Sequence, residues 1–260
     1  MRSFILIFFF VSLAGCASAA EPIRLLSYNI HAGVGSDKVL NLERIADVIK
    51  ESKADIVALQ EVDKLTSRSG KRDLAHELSE HTGMEAIFGA AMKYGGGHYG
   101  NAFLIRKNSG WHVTSHKTHA IPAPNEKEPR CLLEIQLTSE HTTMRSLTVF
   151  STHWCNSEET NRVASAKFTN ELVSKQKGTF ILIGDLNATP QSPPLKALLD
   201  MGWNNPANKE TPTVPVSSPK RQIDYVLIRT DEKWKTAEIK TLNRPEASDH
   251  LPLITVIEFP

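Results

Sequence analysis

The sequence predicts a mixed α/β domain in which helices pack on the outer faces of β-sheets. Three observations carry that expectation. Ten short apolar runs with strand-like composition are spread along the chain, four amphipathic stretches lie between them, and helices alternate with strands early while hairpin-like strand pairs fill the middle. Composition agrees: 260 residues, 40% hydrophobic and 23% charged, with 14 each of Gly and Pro, exclude collagen, coiled coil and disorder and leave room for one large core.

The elements follow in order. Ile23, Leu25 and Leu26 open a strand over 23–29, and Leu42, Ile45, Ala46, Val48 and Ile49 recur on one face of a helix over 41–52. Apolar runs predict strands over 55–61, 102–106 and 111–119, with a helix over 73–81 after the first of them. Segments 131–138 and 146–153 read as a hairpin around a polar turn near Thr142 and Thr143, which sets Cys131 almost opposite Cys155. The first expectation for these two cysteines is a pair of buried free thiols, and the second, in an oxidising compartment, a cross-strand disulfide. A helix over 158–175, a strand over 179–184, a helix over 192–200 and strands over 222–229, 234–241 and 251–258 complete the chain. Segments 126–129 and 211–221 are Pro- and charge-rich loops, too short for domain boundaries, so residues 21–260 are expected to form one domain.

Residues 1–20 are set apart. Arg2 supplies a positive start, residues 4–13 an apolar stretch and Ala17-Ser18-Ala19 a small-residue site, the order of a secretory signal peptide. Leu13-Ala14-Gly15-Cys16 also resembles a bacterial lipobox, so the expected location is exported: periplasmic, outer-membrane lipoprotein or secreted. Beyond Leu13 charged residues punctuate the chain too often for a membrane span, and a lipid anchor near Cys16 is the only membrane attachment expected. The formal charge of +1 supplies no global field for a nucleic acid. No stable protein partner is expected, and a monomer is.

The informative pattern is positional. Asn29, Glu61, His153 and Asp185 stand at or just past the C-terminal ends of apolar strands, whereas Asn101, Arg130, Asp224 and Asp249-His250 stand just before the starts of others. If the two groups of strands run in opposite directions, these residues gather along one rim. Four carboxylates crowded together repel unless a cation or a proton separates them. Carboxylate and carboxamide oxygens suit Mg²⁺ or Mn²⁺, and Mg²⁺ holds substrate phosphate readily. Asp185 and Asn187, two apart, can point into one space, and His250 beside Asp249 forms with Asp224 an Asp–His pair suited to general acid–base chemistry. Taken singly, each has a plainer reading as turn residue, cap or solvated histidine.

Other features point less far. Gly95-Gly96-Gly97 and Gly33-Val34-Gly35 fit no phosphate-loop fingerprint, and His112, His116 and His119 lie in a strand-like segment. His31 is close enough in sequence to Asn29 to reach the rim. The absence of Gly-x-Ser-x-Gly weighs against a serine esterase.

The elements Ser27-Tyr28-Asn29-Ile30, Leu59-Gln60-Glu61-Val62, Tyr99-Gly100-Asn101-Ala102, Ser151-Thr152-His153, Gly184-Asp185-Leu186-Asn187, Ile223-Asp224-Tyr225 and Ser248-Asp249-His250 together resemble the endonuclease/exonuclease/phosphatase superfamily. That group contains pancreatic deoxyribonuclease, abasic-site endonucleases, neutral sphingomyelinases and inositol-polyphosphate phosphatases. The resemblance implies a four-layer α/β-β/α sandwich of two mixed sheets with outer helices. It implies Glu61 as principal Mg²⁺ ligand with Asn29 and Asp249 nearby, and Asp185 as the residue that orients or deprotonates the attacking water. Asn187, Asn101, Arg130 and Tyr99 are implied to contact phosphate, with Tyr94 an open alternative to Tyr99. His250 with Asp224 matches the family's His–Asp pair, and His153 its second active-site histidine.

The expected activity is therefore Mg²⁺-dependent hydrolysis of a phosphodiester in a nucleic acid or phospholipid headgroup. Phosphomonoesterase action on a phosphoinositide or nucleotide is the alternative within the class, and a non-catalytic binding module with the same fold is the alternative outside it. Substrate choice is expected in loops 64–72, 92–98 and 211–221, where Lys64, Arg68, Lys71, Arg72, Lys220 and Arg221 form either a basic rim or an ordinary solvated face.

Overall fold

The computed structural model describes residues 22–259, apart from 126, 141–145 and 208. Residues 1–20, with the signal peptide, the lipobox and Cys16, lie outside the described residues, as does the hairpin turn at Thr142 and Thr143. Eleven strands are described: β1 (Ile23–Asn29), β2 (Ile56–Lys64), β3 (Glu85–Tyr94), β4 (Gly97–Ile105), β5 (Trp111–Ala120), β6 (Cys131–Ser139), β7 (Ser146–His153), β8 (Thr179–Asp185), β9 (Asp224–Arg229), β10 (Lys235–Thr241) and β11 (Leu253–Glu258). The α-helices are α1 (Leu42–Ser52), α2 (Leu74–Thr82), α3 (Glu159–Ser174) and α4 (Pro193–Leu199). No helix among the described residues is long and apolar enough to cross a membrane.

The strands form two mixed sheets, ordered β10-β11-β1-β2-β4-β3 and β5-β6-β7-β8-β9. Period-2 alternation explains the layering. In β1, Leu25 faces the second sheet while Leu26 and Tyr28 face α1; in β8, Ile181 and Ile183 face the first sheet while Phe180 and Leu182 face α3 and α4. Phe103, Ile135, Val149 and Val226 fill the space between the sheets. Helix, sheet, sheet, helix is thus the layer order, the expected four-layer sandwich. Local chemistry fixes where the helices begin: the Asn41 side chain accepts from the Arg44 amide at α1, and Asp73 accepts from the His76 amide at α2.

Three differences from the sequence reading have physical causes. β3 was not expected, because Ala-rich Glu85–Tyr94 is a partly exposed edge strand with little β-branching. β4 starts at Gly97 rather than Ala102, its early part hidden by glycines; a Cβ on Gly100 would lie 2.0 Å from the Gly89 carbonyl oxygen of β3. The β6–β7 register pairs Leu132 with Thr152, so the chain runs two residues away from the pairing that would oppose Cys131 and Cys155. Both cysteines are buried free thiols.

β2 carries a bulge. Leu59 pairs with Ala102 and Val62 with Gly100, so Gln60 and Glu61 together oppose Asn101, and Glu61 takes φ 57°. β3 has its own irregularity at the same level of β4, between Ala90 and Met92.

Candidate active site

The strand-end residues do gather at one rim, at the C-terminal ends of the parallel pairs β1–β2 and β7–β8. Asp185 is the centre. It closes β8 at 1% exposure, and its Oδ2 lies 3.4 Å from His153 Nε2, 3.6 Å from His250 Nε2 and 3.2 Å from Asn29 Nδ2. Its Oδ1 accepts from the Asn187 amide. Burial first, then the neighbouring Asp224 charge, raises its carboxyl to about 7, against the opposing pull of His250 and the two amide donors. Such a group is poised to exchange a proton near neutrality.

The two histidines differ in what faces their Nδ1. His250 Nδ1 sits 2.9 Å from Asp224 Oδ2, a carboxylate that can only accept, so Nδ1 carries a proton. Burial opposes the charged form, yet Asp224, then Asp185 and Asp249, outweigh it and lift His250 to about 10. His153 Nδ1 instead faces Arg130 Nη1 at 2.9 Å and the Tyr99 hydroxyl at 3.3 Å. A guanidinium can only donate, so Nδ1 accepts and the proton of the neutral ring sits on Nε2. Burial, then Arg130 and His250, hold His153 well below the usual histidine range.

Thr213, which no sequence pattern singled out, donates its hydroxyl to Asp224 Oδ2 from the loop before β9. A free hydroxyl in a Pro-rich segment leaves no periodic trace, so only the fold reveals it. Ser248 donates to the Asn29 backbone oxygen at 2.7 Å and ties the Ser248-Asp249-His250 loop to the end of β1.

Asn29 Nδ2 lies 3.2 Å from both Glu61 Oε1 and Asp185 Oδ2, placing the positive end of its amide between two carboxylates. The bulge in β2 brings Glu61 to that point. Asp185, Asp224 and His250 offer ligand atoms within 4.8 Å of one another and form a cluster that could hold a metal. Within it, however, His250 Nδ1 and Asp224 Oδ2 are already hydrogen-bonded to each other, and a protonated imidazole has no lone pair for a cation. The carboxylate oxygens of Glu61 and Asp185, which the Asn29 amide bridges as a donor while its Oδ1 accepts from the His31 amide, suit a hard divalent ion better.

Several of the predicted residues have further partners within the fold. Asp249 is exposed, near Ser248, with no hydrogen bond or ion pair to Glu61 or Asn29 among the described residues. The Asn101 amide is buried and donates to the Cys131 and Ser151 carbonyls of the second sheet, tying the sheets together beneath the site. Asn187 does not extend β8 with period-2 geometry: the strand ends at Asp185, whose carboxylate caps the turn, and Asn187 Nδ2 donates to the Trp154 carbonyl. Arg130 is 8% exposed and reaches Tyr99, His153 and Glu128 through Nη1. His31 points its Nδ1 to the Val34 carbonyl, and β5 holds His112 against Glu140 and His119 against Glu134.

A sequence profile of the Endonuclease/Exonuclease/phosphatase family matches residues 26–250. No curated protein sequence matches the chain. Among solved structures, an endonuclease/exonuclease/phosphatase from Beutenbergia cavernae is similar at TM-score 0.74 and 20% identity, over 92% of this chain and 72% of that one. A mannosyl-6-phosphatase from Bacteroides thetaiotaomicron is similar at TM-score 0.73 and 18% identity, over 91% and 100%. The human Nocturnin catalytic domain with bound sulfate is similar at 0.70 and 20%, over 92% and 95%. At these identities the likeness is one of fold.

Proposed function

The chain belongs to the endonuclease/exonuclease/phosphatase family, whose members hydrolyse phosphoester bonds, and from that premise we propose that it is a divalent-metal-dependent phosphodiesterase. The observation that carries this reading is geometric: buried Asp185 lies 3.4 and 3.6 Å from the Nε2 atoms of two histidines, one of which faces a guanidinium and the other a carboxylate through Nδ1. Glu61 and the near side of Asp185 would hold Mg²⁺ or Mn²⁺, with the Asn29 amide beside them orienting both carboxylates. When bound there, such an ion supplies charge neutralisation at a phosphoryl oxygen.

The remaining work falls to side chains. Asp185 accepts the proton of an attacking water. His250, kept protonated by Asp224, donates to an oxygen on which negative charge develops, and Thr213 holds Asp224 in place. His153 donates through Nε2, because Arg130 and Tyr99 fix its Nδ1 as acceptor. Arg130 adds its charge at the same edge of the cleft. Burial raises the Tyr99 phenol, so Tyr99 stays protonated as a further donor.

Hydrolysis of bis-nitrophenyl phosphate beside the matching monoester, with Mg²⁺ or chelator, tests the proposal. Metal-dependent diester cleavage that falls at least about 1,000-fold in Asp185→Ala is expected. Monoester preference, or full activity in that variant, would overturn it. The segment over 1–20 supports an exported location, which fractionation of cells carrying the full chain would check.

A further inference from the structure

Beside the catalytic residues lies a cavity of about 240 Å³ whose lining joins Glu61, Glu128, Arg130 and His153 to Arg68 and Tyr94, with Glu128 paired to Arg130 at 3.1 Å. The Arg68 wall is built with care that a solvated loop does not require. Asp63 of β2 is fully buried, and its carboxylate accepts from the Thr66 hydroxyl at 2.7 Å and from Arg68 Nε and Nη2 at 2.7 and 2.8 Å. The Arg68 guanidinium is thereby clamped along one edge in the two-pronged geometry that fixes its plane. Its carbon stands 4.7 Å from the centre of the Tyr94 ring and 5.4 Å from that of Tyr99. Nη1 has no hydrogen-bond partner among the described residues, and the side chain remains 42% exposed. One edge of the cation is buried and satisfied while another is held rigid and open at the cavity.

Tyr99 links the two walls: its ring lies near Arg68 while its hydroxyl accepts from Arg130 and sits 3.3 Å from His153. Arg68 is therefore about one tyrosine ring away from the groups proposed to handle the scissile phosphate. Resting on the phosphodiesterase reading, we propose that Arg68, stacked on Tyr94 and clamped by Asp63, is a subsite for a second phosphate of the substrate. The substrate class is then a molecule with at least two phosphates, rather than an isolated diester. Arginine suits this role because its fork accepts phosphate oxygens directionally and its plane tolerates aromatic stacking. Preorganisation matters too, since the guanidinium loses little further freedom when an anion arrives.

The second phosphate could belong to a polynucleotide or to a phosphorylated inositol headgroup, and binding separates the two. Full-length mature protein carrying Asp185→Ala, so that ligand is not consumed, is titrated calorimetrically in Mg²⁺ buffer. The ligands are thymidine 5′-monophosphate, thymidine 3′,5′-bisphosphate, and an inositol mono- and bisphosphate pair. One bisphosphate is expected to bind at least about tenfold more tightly than its monophosphate, and the pair showing the larger gain identifies the source.

Arg68→Gln alone would leave Asp63 charged and unpaired in the core and could unfold the protein. The decisive variant is Asp63→Asn with Arg68→Gln, which exchanges the ion pair for a neutral pair of similar shape. In that variant the bisphosphate-to-monophosphate ratio is expected to fall close to one. Equal binding of mono- and bisphosphates by the parent, or an unchanged ratio in the double variant, would overturn the subsite. Failure of the phosphodiesterase reading shows separately, as absent diester hydrolysis by the unsubstituted protein.

Discussion

His153 and His250 approach the same oxygen of Asp185 from different parts of the molecule, one from the end of β7 in the second sheet, the other from the loop before β11 in the first. Their exposures are nearly equal, 6% and 8%. Their titration is opposite, because Arg130 faces one ring and Asp224 the other. Burial disfavours the charged form of both, so burial alone cannot explain the difference; the second-neighbour charge decides it. A site that needs one neutral and one cationic imidazole obtains both without a difference in depth.

The largest test of this contrast removes what the histidines share. Asp185→Ala should lower kcat on a phosphodiester by about 10³- to 10⁴-fold, roughly 4–5.5 kcal/mol of barrier, measured at saturating substrate. Next, Asp224→Asn should make His250 resemble His153: kcat is expected to fall about 100-fold. In metal-free protein, ¹⁵N NMR should then show the His250 ring deprotonating well below the value of about 10 expected with Asp224 in place. Smaller still, Arg130→Gln should raise the His153 titration point and weaken substrate binding, with kcat/KM down roughly tenfold. Retention of the unsubstituted His153 titration would show that Arg130 is not its cause.

The mildest effect concerns stability. The His250 pKa is raised on folding, so its pairing stabilises the fold fully below about 6.5 and that contribution is lost as pH rises through about 10. Thermal melts without metal should therefore show Asp224→Asn closing on the unsubstituted protein between pH 7 and pH 10, by a few degrees. A gap constant over that range would detach the pair from the pH dependence.

The rim was legible because its residues interrupt apolar strands. Asn29, His153 and Asp185 end short apolar runs that read as strands, and Asp224 begins one. What the sequence hid is irregular backbone and long-range pairing. β3 lacks the branched residues that mark a strand, and the β6–β7 register depends on packing that cysteine spacing does not report. Asn187 looked like the next inward residue of β8, whereas the carboxylate of Asp185 turns the chain there. Asn101, expected to contact phosphate, also has a role within the fold that its position did not reveal: its amide bonds carbonyls of the facing sheet. The Asp63–Arg68 clamp could not be inferred from a loop rich in charge, since only burial of Asp63 distinguishes it from a solvated face.

The bulge in β2 carries a lesson about insertions and deletions. Before it, Val57 and Leu59 face the helices; after it, Val62 does, so the strand has changed parity within three residues. Loss of a single residue at Gln60 would let an unbroken ladder form, and Glu61 would then inherit a place opposite Asn101 with its side chain set by the regular pleat. Such a deletion leaves the net charge unchanged, yet it would take from Asn29 the carboxylate that faces its amide. A chain can therefore keep the glutamate and still lose the site by one codon, which makes spacing across Gln60 a sharper criterion of competence than the presence of Glu61 itself.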